Sequence, residues 1–261
     1  MPTQLPPRCR IGAILKRADP RDALVVRAGS NHTSLSMLPP GSVVGTSSIR
    51  RIAQIRRHYP HLTIKDMRGN VLSRISKLDD PENGYDALVL AAAGLARLGI
   101  EDRIVHYFEA PEMLHAVGQG AIAVEVREDD GELMAMLQGL HHPKTERACL
   151  AERALLRALE GGCSVPIGVE TSWRGEKLLM KALVASTDGK RVIETELVAE
   201  PDDDPDDFGK RVARVLIDLG ASPILKEIEA KRQSRAAEED EEGKGEEVTP
   251  GVPAAGATVD R

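Results

Sequence analysis

A chain of 261 residues, 41% hydrophobic and 29% charged, is long enough for one large domain or two small ones, and most of it should fold. One Trp, three Tyr and two Phe leave the core to Leu, Ile, Val and Ala. That suits helices packed on strands and argues against base-stacking surfaces for single-stranded nucleic acid. The net charge of −6 resides in residues 238–247, seven acids against one Lys, whereas residues 45–77 hold a net +7.

In chain order, Pro2, Pro6 and Pro7 make residues 1–10 a loop. Residues 10–16 and 22–26 read as strands, and Pro39-Pro40-Gly41 turns the chain into a short buried strand over 42–45. Ser47 or Ser48 then caps a helix to about His58 with Ile49, Ile52, Ala53 and Ile55 on its apolar side. A strand over 62–67 precedes a helix from about Asn70 to Leu78, and a strand over 86–91 precedes a helix stopped by Gly99. This alternation predicts an α/β domain with a mainly parallel sheet. Residues 120–126 read as another strand, and residues 142–159 as a long helix stopped by Gly161-Gly162. Turns at Arg174-Gly175 and Asp188-Gly189 divide residues 165–200 into an antiparallel sheet. Residues 208–219 form an amphipathic helix. The acid run 202–207 reads as a solvated loop, and residues 233–261 as a disordered acidic tail.

Cys9, Cys149 and Cys163 are far apart, with no CxxC or Cys/His spacing, so neither a metal site nor a disulfide framework is expected. A reducing, cytoplasmic setting follows. Residues 1–10 contain no apolar core of a secretory signal, and the longest apolar stretch, 87–99, includes Arg97, so no membrane span is expected.

Four constellations could carry chemistry. In Gly45-Thr46-Ser47-Ser48-Ile49-Arg50-Arg51, a strand delivers hydroxyls and free backbone N–H groups to a helix N-terminus. Two Arg in a first turn oppose the helix dipole, so an anion with several oxygens would have to compensate; the plainer reading is a capped helix with two solvated Arg. Arg68-Gly69-Asn70 again joins a strand to a helix, with Arg74 and Lys77 on the following turns, and Arg97 follows the next strand. Strand C-termini of a parallel sheet open on one edge, which would gather these guanidiniums in one crevice suited to a polycarboxylate or polyphosphate. No nucleic-acid recognition motif accompanies them. Gly161-Gly162-Cys163 places a thiol at a sharp turn, as a covalent attachment point or as a small buried residue. Gly118-Gln119-Gly120 is a tight connection whose Gln119 amide could meet a ligand.

The stretches IGAILKRADPRDALV, GTSSIRRIAQIRRHYPHL, MRGNVLSR, DALVLAAAGLARLG, AVGQGAIAVEVR and LEGGCSVPIGV together resemble hydroxymethylbilane synthase, also called porphobilinogen deaminase, from Met1 to about Leu219. The resemblance implies a transferase of porphyrin biosynthesis that joins four porphobilinogen units head to tail with loss of ammonia. It implies two periplasmic-binding-protein-like (type II) α/β domains and a smaller α+β C-terminal domain. Here these would be residues 1–17 with 118–140, residues 18–117, and residues 141–232. It further implies a dipyrromethane cofactor tethered through Cys163, with Arg50, Arg51, Arg68, Arg74, Thr46 and Ser47 against the cofactor and Arg97, Gln119 and Gly120 against the substrate. The family's catalytic Asp precedes the PTxLP stretch that opens this chain. The resemblance therefore assigns no catalytic residue within 1–261 and implies an incomplete first domain and impaired turnover. A monomer is expected, with porphobilinogen as its small-molecule partner. The competing reading is a non-catalytic binding module for an anionic small molecule. On the transferase reading Arg50→Ala and Arg68→Ala in a full-length version are each expected to slow chain growth with little loss of folding, because surface guanidiniums contribute little to stability.

Overall fold

The structure, a computed structural model, describes residues 5–159 and 165–244. Strand β1 (Cys9–Ile14) pairs not with its neighbour in sequence but with β7 (Ala123–Arg127), antiparallel, in a two-stranded sheet. Helix α4 (Gly131–Leu137) covers it, and Ala13, Val126 and Leu137 form its small core. The strand expected from residue 120 begins only at Ala123. Gly118 and Gly120 both have positive φ and make a turn instead, with the Ala121 N–H donating to the Gly118 carbonyl. Beyond β1, the Leu15 N–H donates to Ile122 O and the Ala18 N–H to Gly120 O, so residues 15–18 and 120–122 run side by side.

Between these two straps lies a five-stranded sheet in the order β4-β3-β5-β2-β6, built of β2 (Asp22–Val26), β3 (Val43–Gly45), β4 (Thr63–Lys65), β5 (Ala87–Ala91) and β6 (Ile104–Tyr107). Strand β3 is parallel to β4 and β5, whereas β2 is antiparallel to both β5 and β6. The sheet is therefore mixed rather than mainly parallel. The strap brings the chain in at the edge where β5 ends, so β2 runs the opposite way and Asp22 stands beside Ala91. Every residue of β2 is buried, as a strand covered on both faces requires. Leu24 and Val26 face a core closed by Ile55 of α1 (Ile49–His58); Ala23 and Val25 face one closed by Leu78 of α2 (Val71–Asp79) and Leu95 of α3 (Ala92–Arg97). Ser48 and Asn70 cap α1 and α2 through their side-chain oxygens.

Helix α5 (Pro143–Ala158) leads to an antiparallel sheet of β8 (Ile167–Arg174), β9 (Lys177–Ala185) and β10 (Val192–Ala199), turning at Gly175 and Gly189 as expected. Helix α6 (Pro205–Leu216) packs on α5 over a core that includes Leu155, Met180, Phe208 and Val212. Part of the run read as a solvated loop is the start of α6: Asp204 caps it by accepting the Asp206 and Asp207 N–H groups, where acids also suit the helix dipole. Helix α7 (Ser222–Lys244) continues over residues 233–244, where a disordered tail was expected; that segment holds four Glu and two Ala, strong helix formers. The rest of that tail lies outside the described residues. Among the described residues no helix is long and apolar enough to cross a membrane.

Candidate functional site

Strands β4, β3 and β5 are parallel neighbours, so their C-terminal ends share one edge of the sheet. Residues 46–51 leave β3 there, residues 66–70 leave β4, and α3 with Arg97 leaves β5. Asp22 opens the antiparallel β2 at the same edge.

Arg50 and Arg51 are 5% and 8% exposed, so they are not the solvated pair that a first helical turn suggests. Both reach the Asp22 carboxylate, itself 1% exposed. Arg50 donates from Nη1 to Asp22 Oδ2 at 2.5 Å and to the Leu114 carbonyl at 2.7 Å. Its Nη2 donates to Asp22 Oδ1 at 3.3 Å and to Gln119 Oε1 at 3.2 Å. Arg51 donates from Nε to Asp22 Oδ1 at 3.0 Å and from Nη1 to the Val89 carbonyl at 2.7 Å, while its Nη2 lies 2.8 Å from Asp22 Oδ1. Gln119 completes the cluster, donating from Nε2 to Asp22 Oδ1 at 3.0 Å and to the Pro20 carbonyl at 2.6 Å. Asp22 supplies the two first-turn guanidiniums with an internal anion. Burial pushes the Asp22 carboxyl up, but the charges of Arg50 and Arg51 outweigh that and hold it at about 2. Burial lowers Arg51, Asp22 opposes the shift, and the nearby Arg50 and Arg74 add to it.

The remaining assigned residues ring this cluster. Thr46 is buried, its Oγ1 accepting the Ser48 N–H at 3.2 Å, and Ser47 beside it is half-buried. Arg74 is half-buried, donating from Nε to the Gly69 carbonyl at 2.7 Å. Arg97 is exposed and donates from Nη2 to the Gly120 carbonyl at 3.0 Å, which ties it to the Gln119 turn. Arg68 is well exposed and pairs with Asp66 at 3.0 Å, and Lys77 Nζ donates to the Arg68 carbonyl at 3.4 Å. The structure thus joins Arg50, Arg51 and Gln119 directly, and Arg97 through Gly120. It brings no contact between Arg68 and the cluster. Cys163 lies outside the described residues.

Two acids escaped the sequence reading. Asp22 sits in DALVV, which reads as a buried strand; an acid opening an otherwise apolar strand is the available signal. Glu152 is fully buried on α5. It accepts from Arg17 Nη1 at 2.6 Å and Nη2 at 3.1 Å, from Thr171 Oγ1 at 2.6 Å and from the Gly118 N–H at 2.7 Å. Burial raises its carboxyl, and Arg17, His115 and Thr171 together more than reverse that. The Gln119 turn is therefore gripped from α5 on one side and from Asp22 on the other.

Chemically, two buried cations share one buried anion, which leaves one positive charge without an internal counterion in this cluster. Arg50 Nε is buried and makes no hydrogen bond. With Arg74 and Arg97 nearby in the fold, the edge suits a ligand bearing several carboxylates.

Fold and charge together define a mixed α/β protein whose sheet edge carries two buried arginines on one carboxylate, with Arg97 tied in through the Gly120 carbonyl. Residues 1–135 match the family described as "Porphobilinogen deaminase, dipyromethane cofactor binding domain", and residues 146–218 match "Porphobilinogen deaminase, C-terminal domain". The chain is 52% identical over 228 residues to the porphobilinogen deaminase of Synechococcus sp. (strain CC9902), covering 87% of this chain and 71% of that one. It is 52% identical over 230 residues to that of Yarrowia lipolytica (strain CLIB 122 / E 150), covering 87% and 68%. The chain belongs to the porphobilinogen deaminase family. Among solved structures, a YaeC-family lipoprotein from Enterococcus faecalis V583 is similar at a TM-score of 0.35 and 11% identity, covering 53% of this chain and 64% of that one, a likeness that bears no weight.

Proposed function

We infer that the chain is a hydroxymethylbilane synthase: it joins four porphobilinogen units head to tail, releasing ammonia at each step, in porphyrin biosynthesis. It is a transferase, and its cofactor is dipyrromethane. When bound, that group supplies the pyrrole end to which new units are joined. The residues present fit it. Pyrrole acetates and propionates are carboxylates, and the cluster has an uncompensated positive charge and an orphaned buried N–H at Arg50 Nε.

Finer assignments rest on the resemblance and on this geometry. Arg50 and Arg51, buried and fixed, would bind cofactor carboxylates, together with Arg74 and Arg68 and with Thr46 and Ser47 at the head of α1. Arg97, Gln119 and Gly120 would meet the incoming unit. Cys163 is assigned the thioether. The half-buried setting of Arg74 and Gln119 excludes part of the water that would weaken such pairs. The three sheets support a division into lobes of residues 1–17 with 118–140, 18–117 and 141–232, the first two of the periplasmic-binding-protein kind.

The observation that carries the site assignment is the pair of buried guanidiniums sharing one carboxylate. Intact mass of the protein expressed with ample porphobilinogen tests it. A dipyrromethane adduct is expected, absent in Cys163→Ala and diminished in Arg50→Gln. An adduct that survives Cys163→Ala overturns the attachment site.

A further inference from the structure

Asp22 touches more of the cluster than any ligand-facing residue does. Five donor contacts from three side chains converge on its two oxygens. It is held by backbone, not by a mobile loop: it opens β2, in register with Ala91 of β5, and its strand is buried throughout. The groups it binds are long and flexible. An Arg left to itself samples many rotamers, and ordering it when a ligand arrives lowers affinity. A carboxylate already fixed at the sheet edge removes that cost. Both guanidiniums also carry backbone carbonyl partners, Leu114 for Arg50 and Val89 for Arg51, so their orientations are specified and not merely neutralised. A pair kept only for stability could be replaced by well-packed apolar side chains without loss. Asp22 has one charge against two, which leaves the cluster short of one negative charge.

We propose that Asp22 is a positioning residue for the transferase: it fixes the Arg50 and Arg51 guanidiniums and the Gln119 amide, and by neutralising only one of two cations it reserves the other for a single pyrrole carboxylate. The proposal rests on the reading that this edge holds the carboxylates of dipyrromethane and porphobilinogen. Arg50 and Arg51 act on the ligand, and Asp22 acts through them.

Asp22→Glu keeps the charge and moves it by one methylene; Asp22→Asn keeps the shape and removes the charge. Both are made in the full chain, expressed with ample porphobilinogen, and compared by intact mass, melting temperature, KM and kcat. Asp22→Glu is expected to melt close to the parent, yet to raise KM for porphobilinogen at least about tenfold with kcat changed less than about threefold, the signature of lost uniform binding. Asp22→Asn is expected to lose the adduct from most of the population. A folded Asp22→Glu with parental KM and full adduct overturns the proposal. So does loss of folding in both variants, which would make Asp22 a core residue only. Arg50→Gln, run alongside, separates the two levels. If it raises KM and Asp22→Glu does not, the positioning role alone falls. If neither variant changes KM or the adduct, the reading of the edge falls with it.

Discussion

Arg50 and Arg68 look alike in the sequence, each following a strand and preceding or opening a helix, yet the structure makes them opposites. Arg68 is a solvated side chain paired with an exposed acid. Arg50 is one of two buried guanidiniums on Asp22, so removing it leaves the carboxylate with Arg51 and Gln119 but takes away two of its charge-assisted bonds. The premise that both are surface guanidiniums fits Arg68 and not Arg50, which is buried. Arg50→Ala should lose about 1.5–3 kcal/mol of unfolding free energy in denaturant titrations, the scale of lost hydrogen bonds to a charged group, against about 0.5 kcal/mol or less for Arg68→Ala. The same cluster sets a pH signature. The folded pKa of Asp22, about 2, lies below its unfolded value of about 3.9, so its contribution is complete above about pH 4 and fades as pH falls toward 2. The stability gap between the parent and Asp22→Asn should therefore shrink between pH 4 and pH 2 in acid-dependent melts. The arginines were legible because two cations in a first helical turn are anomalous. Their partner was harder to read, because an acid opening an apolar strand is a weak local signal and its arginines lie 28 and 29 residues away.

Helices and strands emerged from the sequence largely by their caps and stops. Ser48 accepts the expected capping N–H, Asn70 caps the helix expected to start near it, and Gly175 and Gly189 turn the hairpins. Packing between elements was not legible, because it depends on which glycines face another backbone. Gly189, at φ +73, is one: a Cβ there would meet the Ala53 carbonyl and lie 2.8 Å from the Arg57 N of α1. Gly175, at φ +62, has nothing within 4 Å of the same position. Gly175→Ala should cost about 1–2 kcal/mol, the left-handed penalty alone. Gly189→Ala should cost clearly more, since the β9–β10 turn must also withdraw from α1. Gly209 is the helical counterpart. Its Cβ would meet the Ala151 carbonyl and come within 2.6 Å of Ala154 Cβ, so Gly209→Ala should separate α6 from α5 and lower the melting temperature sharply. Thermal melts of the three variants, ranked together, check this order.

Over the whole molecule, the family and the charge asymmetry were readable from contiguous motifs, whereas the joint between distant segments was not. Glu152 reads as the polar face of a helix, and only its contact with Arg17, 135 residues earlier, shows that it is interior. That pair ties α5 and β8 to the strap at residues 15–18 and to the Gln119 turn. Arg17→Ala leaves a buried carboxylate unpaired and should destabilise by about 3–5 kcal/mol. In calorimetry the single parental transition should split, with residues 141–228 melting apart from the rest. The double variant Arg17→Met/Glu152→Leu should recover most of the loss, because apolar packing can replace a buried pair.

The two straps carry a last consequence. Residues 15–18 and 120–122 cross side by side, and Gly120 lies so close that a Cβ would sit 2.7 Å from the Ala18 carbonyl. A single thread would let the β1–β7 sheet swivel freely about its tether. A doubled one behaves like a leaf spring, yielding to flexure in one direction while resisting torsion. The paired segments are therefore expected to restrain twisting of the β1–β7 sheet about its tether more than bending.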